Sequence, residues 1–180
     1  AHGGTSMAQW KPGRGGDCLF GAMIGRIRAD GGRIAGLLWY QGESDANPRD
    51  LALYDRRMAA LIAALRKEVG PVPVAMVQLG CVCRLGWTDP EAWTAMRERQ
   101  RRLPERIAGL AVVPAIDLPL DDLIHIGGDG QQVLGRRLAE AIDHLRRGRK
   151  GPPPPIALAG LELVAGPNPG ERFVAVDFAN

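Results

Sequence analysis

With 180 residues, 46% of them hydrophobic and 24% charged, the chain has an ordinary globular composition and enough apolar material for one sizeable core and one main domain. Net charge is +3, yet the arginines are spread over helix-like stretches apart from clusters at Arg97–Arg106 and Arg146–Lys150. Four Trp, two Tyr and three Phe are too few to interleave a basic face, and no run approaches the roughly 18 apolar residues of a membrane span, so neither nucleic acid nor membrane is an expected partner.

Asp17 stands where it can cap a helix whose Phe20, Met23, Ile24 and Ile27 recur at helical spacing, ending near Gly31-Gly32. Ile34–Tyr40 is a short apolar run bounded by glycine and predicts a buried strand. Asn47-Pro48 supplies a cap and a proline at the first helical position. Behind it Leu51, Tyr54, Met58, Leu61, Ile62, Leu65 and Val69 mark one stripe of a single long amphipathic helix. Val72–Leu79 predicts a second strand, with Pro71 and Pro73 confined to its start, where a missing amide donor is tolerated.

Cys81 and Cys83 follow that strand. Together with Cys18 they specify neither a disulfide framework nor a four-ligand zinc site, and all three are expected to be small core residues. Asp89-Pro90 repeats the cap-and-proline start for a helix carrying Trp93, Met96, Leu103 and Ile107. Ala111–Ile116 predicts the third strand. Asp129 with Gln132 resembles a capping box, ahead of a last helix lined by Val133, Leu134, Leu138, Ala141, Ile142 and Leu145. Strand and helix alternating at these lengths imply right-handed crossovers and a parallel sheet covered on both faces, an α/β fold. The domain is expected to span residues 1–148. A Pro-rich linker over 149–155 follows, and residues 156–180, with strand-like Ile156–Val164 and Arg172–Phe178, begin a β-rich appendage or an edge hairpin.

In a parallel sheet the ligand crevice lies beyond the carboxyl ends of the strands. Gln41-Gly-Glu-Ser44 follows the first predicted strand and Asp122-Leu-Ile-His125 the third, so both reach one rim. A carboxylate three residues ahead of a histidine can fold back and accept the imidazole Nδ1–H, which leaves Nε2 free as a general base. His2-Gly-Gly-Thr-Ser6 adds glycine amides open to close approach, a suitable wall for an oxyanion. Asp121 is a rival orienting carboxylate. A metal reading of Asp122 and His125 lacks a third ligand, His144 lying in a helix. The only serines, Ser6 and Ser44, read as a loop residue and a turn residue rather than nucleophiles, Trp10 and Trp87 as packing residues, and Gly13-Arg-Gly-Gly16 as a surface turn.

Three segments, Gly3-Gly-Thr-Ser6, Leu38-Trp-Tyr-Gln-Gly-Glu-Ser-Asp45 and Asp117-Leu-Pro-Leu-Asp-Asp-Leu-Ile-His125 with Gly135-Arg-Arg-Leu-Ala139 behind it, resemble the sialate O-acetylesterase-like acetyl esterases of the SGNH/GDSL hydrolase superfamily, including carbohydrate esterase family 6. The resemblance covers about residues 1–148 and implies a three-layer, flavodoxin-like α/β/α sandwich. It also implies a serine esterase acting on an acetylated carbohydrate, such as a sialic acid or xylan, without metal or organic cofactor. By resemblance Asp122 orients His125, Gly4 and Gln41 give the oxyanion donors, and Gly3 and Glu43 support them. The family's nucleophile lies in a Gly-Gln-Ser-Asn-like turn after a strand upstream of the glycine segment. The expectation is therefore that the first strand and its serine stand outside the numbered residues, and that residues 1–180 alone have negligible esterase activity.

Overall fold

Three short strands run parallel in the order β1 (Leu37–Trp39), β2 (Val74–Gln78), β3 (Leu110–Pro114). They belong to a computed structural model that describes residues 2–13, 18–83, 86, 88–148 and 157–179. Two helical crossovers connect them: α2 (Pro48–Leu51) and α3 (Tyr54–Val69) lead from β1 to β2, and α4 (Pro90–Arg102) leads from β2 to β3. A leading helix, α1 (Leu19–Ala29), and a closing helix, α5 (Gly128–Arg146), complete the layers.

The pleat divides the core in two, because successive strand residues point to opposite faces. Val74, Met76 and Leu110 pack with Phe20 and Ile24 of α1, Met58, Leu61, Ile62 and Leu65 of α3, and Trp93 and Met96 of α4. Ala75, Val77, Ala111 and Val113 pack on the other face against Leu134, Leu138 and Ala141 of α5. The result is a helix–sheet–helix sandwich. Small Ala75 and Ala111 let α5 approach the sheet closely, whereas the opposite face takes the bulkier methionines and aromatics.

Element positions differ from expectation in ways with local causes. β1 is limited to Leu37–Trp39 because only those residues find ladder partners on β2. The helix expected behind Asn47 is broken into α2 and α3. Asn47 does cap it, its side chain accepting the Asp50 N–H, but the Leu53 N–H then bonds Asp50 O three residues back, and this tighter turn delivers Tyr54 fully buried into the core. Leu103 falls in a 3₁₀ turn (Leu103–Glu105) rather than in α4. The expected capping box is absent: Gly127 stands at the N-cap of α5 without a side-chain bond, and Asp129 lies in the first turn. Cys18 caps α1, its sulfur accepting the Gly21 N–H, whereas Asp17 lies outside the described residues. Nor are the cysteines core residues. Cys81 and Cys83 are exposed and Cys18 is half-buried, since all three sit on segments that leave the sheet or precede a helix.

β4 (Ala157–Ala165) and β5 (Arg172–Ala179) form an antiparallel hairpin in a sheet of their own, and do not extend the edge of the parallel one. Its exposed Leu161, Leu163, Val174 and Val176 share one face. The expected polyproline segment and Trp87 lie outside the described residues. Among the described residues no helix is long and apolar enough to cross a membrane.

Candidate active site

The segment Ala115–Gly127 carries the chain from β3 to α5 and is shaped by its own main chain. The Asp121 N–H bonds His125 O and the Gly127 N–H bonds Pro119 O, drawing Leu120 opposite Ile126 in an isolated bridge. Its foot is clamped by Arg137 of α5, which binds both carboxylate oxygens of Asp117, at 2.8 and 2.6 Å, and also Pro114 O. Its top is tied to the exit of β2 by the Cys83 N–H on Leu123 O.

Inside this loop, Asp122 Oδ1 accepts the main-chain N–H groups of Ile124 and His125, while Oδ2 stands 2.7 Å from His125 Nδ1. The two N–H bonds and the imidazole hold the Asp122 carboxyl down at about 2. An ionised acceptor at Nδ1 keeps the proton of a neutral imidazole on that nitrogen, so Nε2 retains its lone pair. The carboxylate in turn raises the imidazole above its ordinary value. Asp121, the rival, does not pair with the ring; its carboxylate packs against Gly127, where an added Cβ would lie 2.3 Å from Oδ1.

His125 opens onto a cavity of about 610 Å³ whose wall includes Gly3, Gly4, Tyr40, Gln41 and Glu43. The structure thus brings six expected residues to one rim: Gly3, Gly4, Gln41, Glu43 and His125 line the cavity, and Asp122 stands behind the imidazole. Gly4 adopts φ 66°, a left-handed backbone that glycine takes without strain. Glu43 begins the 3₁₀ turn Glu43–Asp45 just past β1. Burial pushes its carboxyl up, while the Glu43 and Gly42 amides and the His125 imidazole pull it down.

Gln41 requires a correction. Its side chain is buried, and both amide protons are committed, to Thr5 O at 3.0 Å and to Asp45 Oδ2 at 2.6 Å. Only its oxygen, itself buried, is unpaired, so the Gln41 side chain offers the cavity no oxyanion donor. The cause is Asp45, a fully buried carboxylate that also accepts the Met7 N–H at 2.8 Å and is approached by Arg57 at 3.4 Å. Gln41 and Asp45 together pin the glycine-bearing segment His2–Met7 to the end of β1. Neither serine is hydrogen-bonded to the imidazole: Ser6 donates to Gln9 Oε1, and Ser44, in the 3₁₀ turn, lines the same cavity as His125. Among the described residues, no three of His, Cys, Asp and Glu gather as a metal site.

A family model described as carbohydrate esterase, sialic acid-specific acetylesterase, matches residues 1–144. The chain belongs to that family. A probable carbohydrate esterase of Arabidopsis thaliana is 32% identical over 146 residues, covering 78% of this chain and 52% of the relative. The X-ray structure of that plant protein overlays with a TM-score of 0.65 over 78% of this chain and 57% of its own. A crystal structure of a carbohydrate acetylesterase from Xanthomonas citri, 26% identical, overlays with a TM-score of 0.63 over 89% of this chain and 36% of its own. The chain spans about half the length of the curated relative it matches.

In this carbohydrate-esterase family member, the polar roles of three buried residues escaped the sequence reading. Tyr54 of α3 donates its hydroxyl to Gln41 O at 3.1 Å. Gln100 of α4 donates to Gln41 O and to the Tyr54 hydroxyl, while its own oxygen accepts the Leu79 N–H. Asp45 is the third. Tyr54 and Gln100 sit among the buried residues of their helices, and polarity at an inward position was the available signal.

Proposed function

We propose that the chain supplies the Asp-His pair and oxyanion wall of a serine esterase that removes O-acetyl groups from carbohydrates, of the sialic acid or xylan type. The attacking serine stands outside residues 1–180. The observation that carries this reading is the 2.7 Å contact between His125 Nδ1 and ionised Asp122, with the imidazole facing a cavity walled by Gly3 and Gly4. The outer edge of β1 also pairs with no strand among the described residues. A strand added there would open onto the same rim.

In this mechanism His125 Nε2 takes the serine proton as the oxygen attacks the acetyl carbonyl, and the imidazolium, held by Asp122, returns that proton to the departing sugar oxygen. The Gly4 N–H receives the negative charge of the tetrahedral intermediate. Water, activated by the same imidazole, then releases acetate. A positioned base contributes about 100- to 10,000-fold. Glu43 keeps the turn behind Gln41 in shape by accepting its amides.

With residues 1–180 the expected outcome is negligible hydrolysis of an aryl acetate, unchanged by His125→Ala, and no fluorophosphonate adduct on Ser6 or Ser44. His125-dependent turnover by this chain would overturn the placement of the nucleophile. A second reading, a carbohydrate-binding or scaffold protein without catalysis, draws on the lack of any hydrogen bond from Ser6 or Ser44 to the imidazole among the described residues. A longer chain with a Gly-x-Ser turn that takes the label excludes it.

A further inference from the structure

Two thiols on the chain that leaves β2 play no part in the reaction above. Cys81 and Cys83 are both free and exposed. Each is also bonded to the segment that holds the Asp-His pair. The Cys81 Sγ–H donates to Ile116 O at 3.3 Å, near the foot of that segment, and the Cys83 N–H donates to Leu123 O at 2.8 Å, between Asp122 and His125. Two nucleophilic sulfurs, one residue apart, therefore stand on the main-chain ties of the imidazole loop.

We propose that Cys81 and Cys83 form a dithiol site for small disulfide oxidants, closing to an intrachain disulfide that shifts the His125 segment. The thiol chemistry is independent of the esterase reading. Residues two apart along a chain lie no more than about 7.2 Å from each other, Cα to Cα, and a disulfide spans about 4.4–6.8 Å, so the bond needs at most a slight contraction. One thiolate attacks a sulfur of the oxidant, giving a mixed disulfide and releasing half of the reagent as a thiolate. The second thiol gives up its proton and attacks the protein sulfur of that mixed disulfide, which forms the Cys81–Cys83 bond and expels the other half. The protein loses two hydrogens and two electrons, and the reagent is reduced to two thiols. Both ties to the imidazole loop then change: Cys81 has no S–H left to donate to Ile116 O, and the contraction moves the Cys83 N–H relative to Leu123 O. The Arg137–Asp117 clamp and the bonds of Asp122 to its own loop are untouched, so the loop shifts without unfolding. An exposed disulfide of this kind is labile, and thiol reductants reopen it.

The test treats residues 1–180 with a small excess of glutathione disulfide at about pH 8, where thiols ionise in part. Trypsin then releases residues 68–84, which carry Cys81 and Cys83 and no other cysteine. In the native chain most of this peptide is expected to be lighter by two hydrogens, free of glutathione, and restored by dithiothreitol. In Cys83→Ser the expected product is a glutathione adduct on Cys81, about tenfold more abundant than in the native chain, because no neighbouring thiol at high effective concentration expels it. Oxidation is also expected to shift the Cys83 and Leu123 amide resonances and the His125 Cε1–H line. The same treatment should leave the His125 line in place when Cys81→Ser and Cys83→Ser are combined. Glutathione adducts or intermolecular dimers without the intrachain bond in the native chain overturn the site. An intrachain bond that forms while the His125 line stays put overturns its coupling to the imidazole loop.

Discussion

His125 and Asp122 lie three residues apart, and their pairing is set by the chain itself: a carboxylate that captures two successive amides is already aimed at the third residue's ring. The pair is open to solvent, the imidazole side chain being 79% exposed, so its energetic weight is small. Its titration still carries a sign. The imidazole is raised above its ordinary value, so the stabilisation it provides is complete below the unfolded histidine's pKa and disappears as pH rises through the folded one. Asp122 behaves oppositely: its contribution is present above the ordinary aspartate value and is lost as pH falls toward about 2. The expected outcome is a His125 Cε1–H titration midpoint above that of a free histidine, lowered by Asp122→Asn. An unchanged midpoint in that variant would show that the pair does not form in solution.

At the scale of elements, the turn after β1 joins everything the site needs, and Gly42 is its tightest point. Its φ of 156° and an added Cβ 2.6 Å from Gln100 Nε2 leave room only for glycine. Gln100 is fully buried and bound to Gln41, Tyr54 and Leu79, so it has nowhere to retreat. Gly42→Ala is expected to destabilise by about 1–3 kcal/mol in urea denaturation. Gly135, on the exposed face of α5 with nothing near its added Cβ, is the contrast: Gly135→Ala is expected to stabilise by about 0.4–1 kcal/mol. Similar values for the two variants would contradict the packing of the turn against α4. The helix pattern behind Asn47 was legible from its stripe, but its interruption at Leu53 was not. The break serves Tyr54, whose hydroxyl has a partner only once β1 and α4 are in place.

For the whole molecule, the sandwich and the hairpin are separate sheets. A two-stranded hairpin is marginal by itself, and the hydrogen bonds at its turn, Gly166 to Glu171 and Asn168 to Glu171, are internal. Deleting residues 149–180 is therefore expected to leave the melting midpoint, followed by circular dichroism, within about 2–4 °C, the shift that 1 kcal/mol produces in a domain of this size. A larger drop would show that the hairpin braces the sandwich.

Short-range chemistry was readable along the chain alone. Alternating strand and helix lengths, the Asn47 and Asp89 caps, and the three-residue reach from Asp122 to His125 each involve neighbours in sequence, whose geometry the backbone dictates. What needed the folded chain was the meeting of distant polar groups. Asp45 claims the Gln41 amide across four residues and the Met7 amide across thirty-eight, and Gln100 closes the turn behind β1 from fifty-nine residues away. A buried donor or acceptor takes whichever partner packing delivers, and that partner is decided by how helices settle on the sheet.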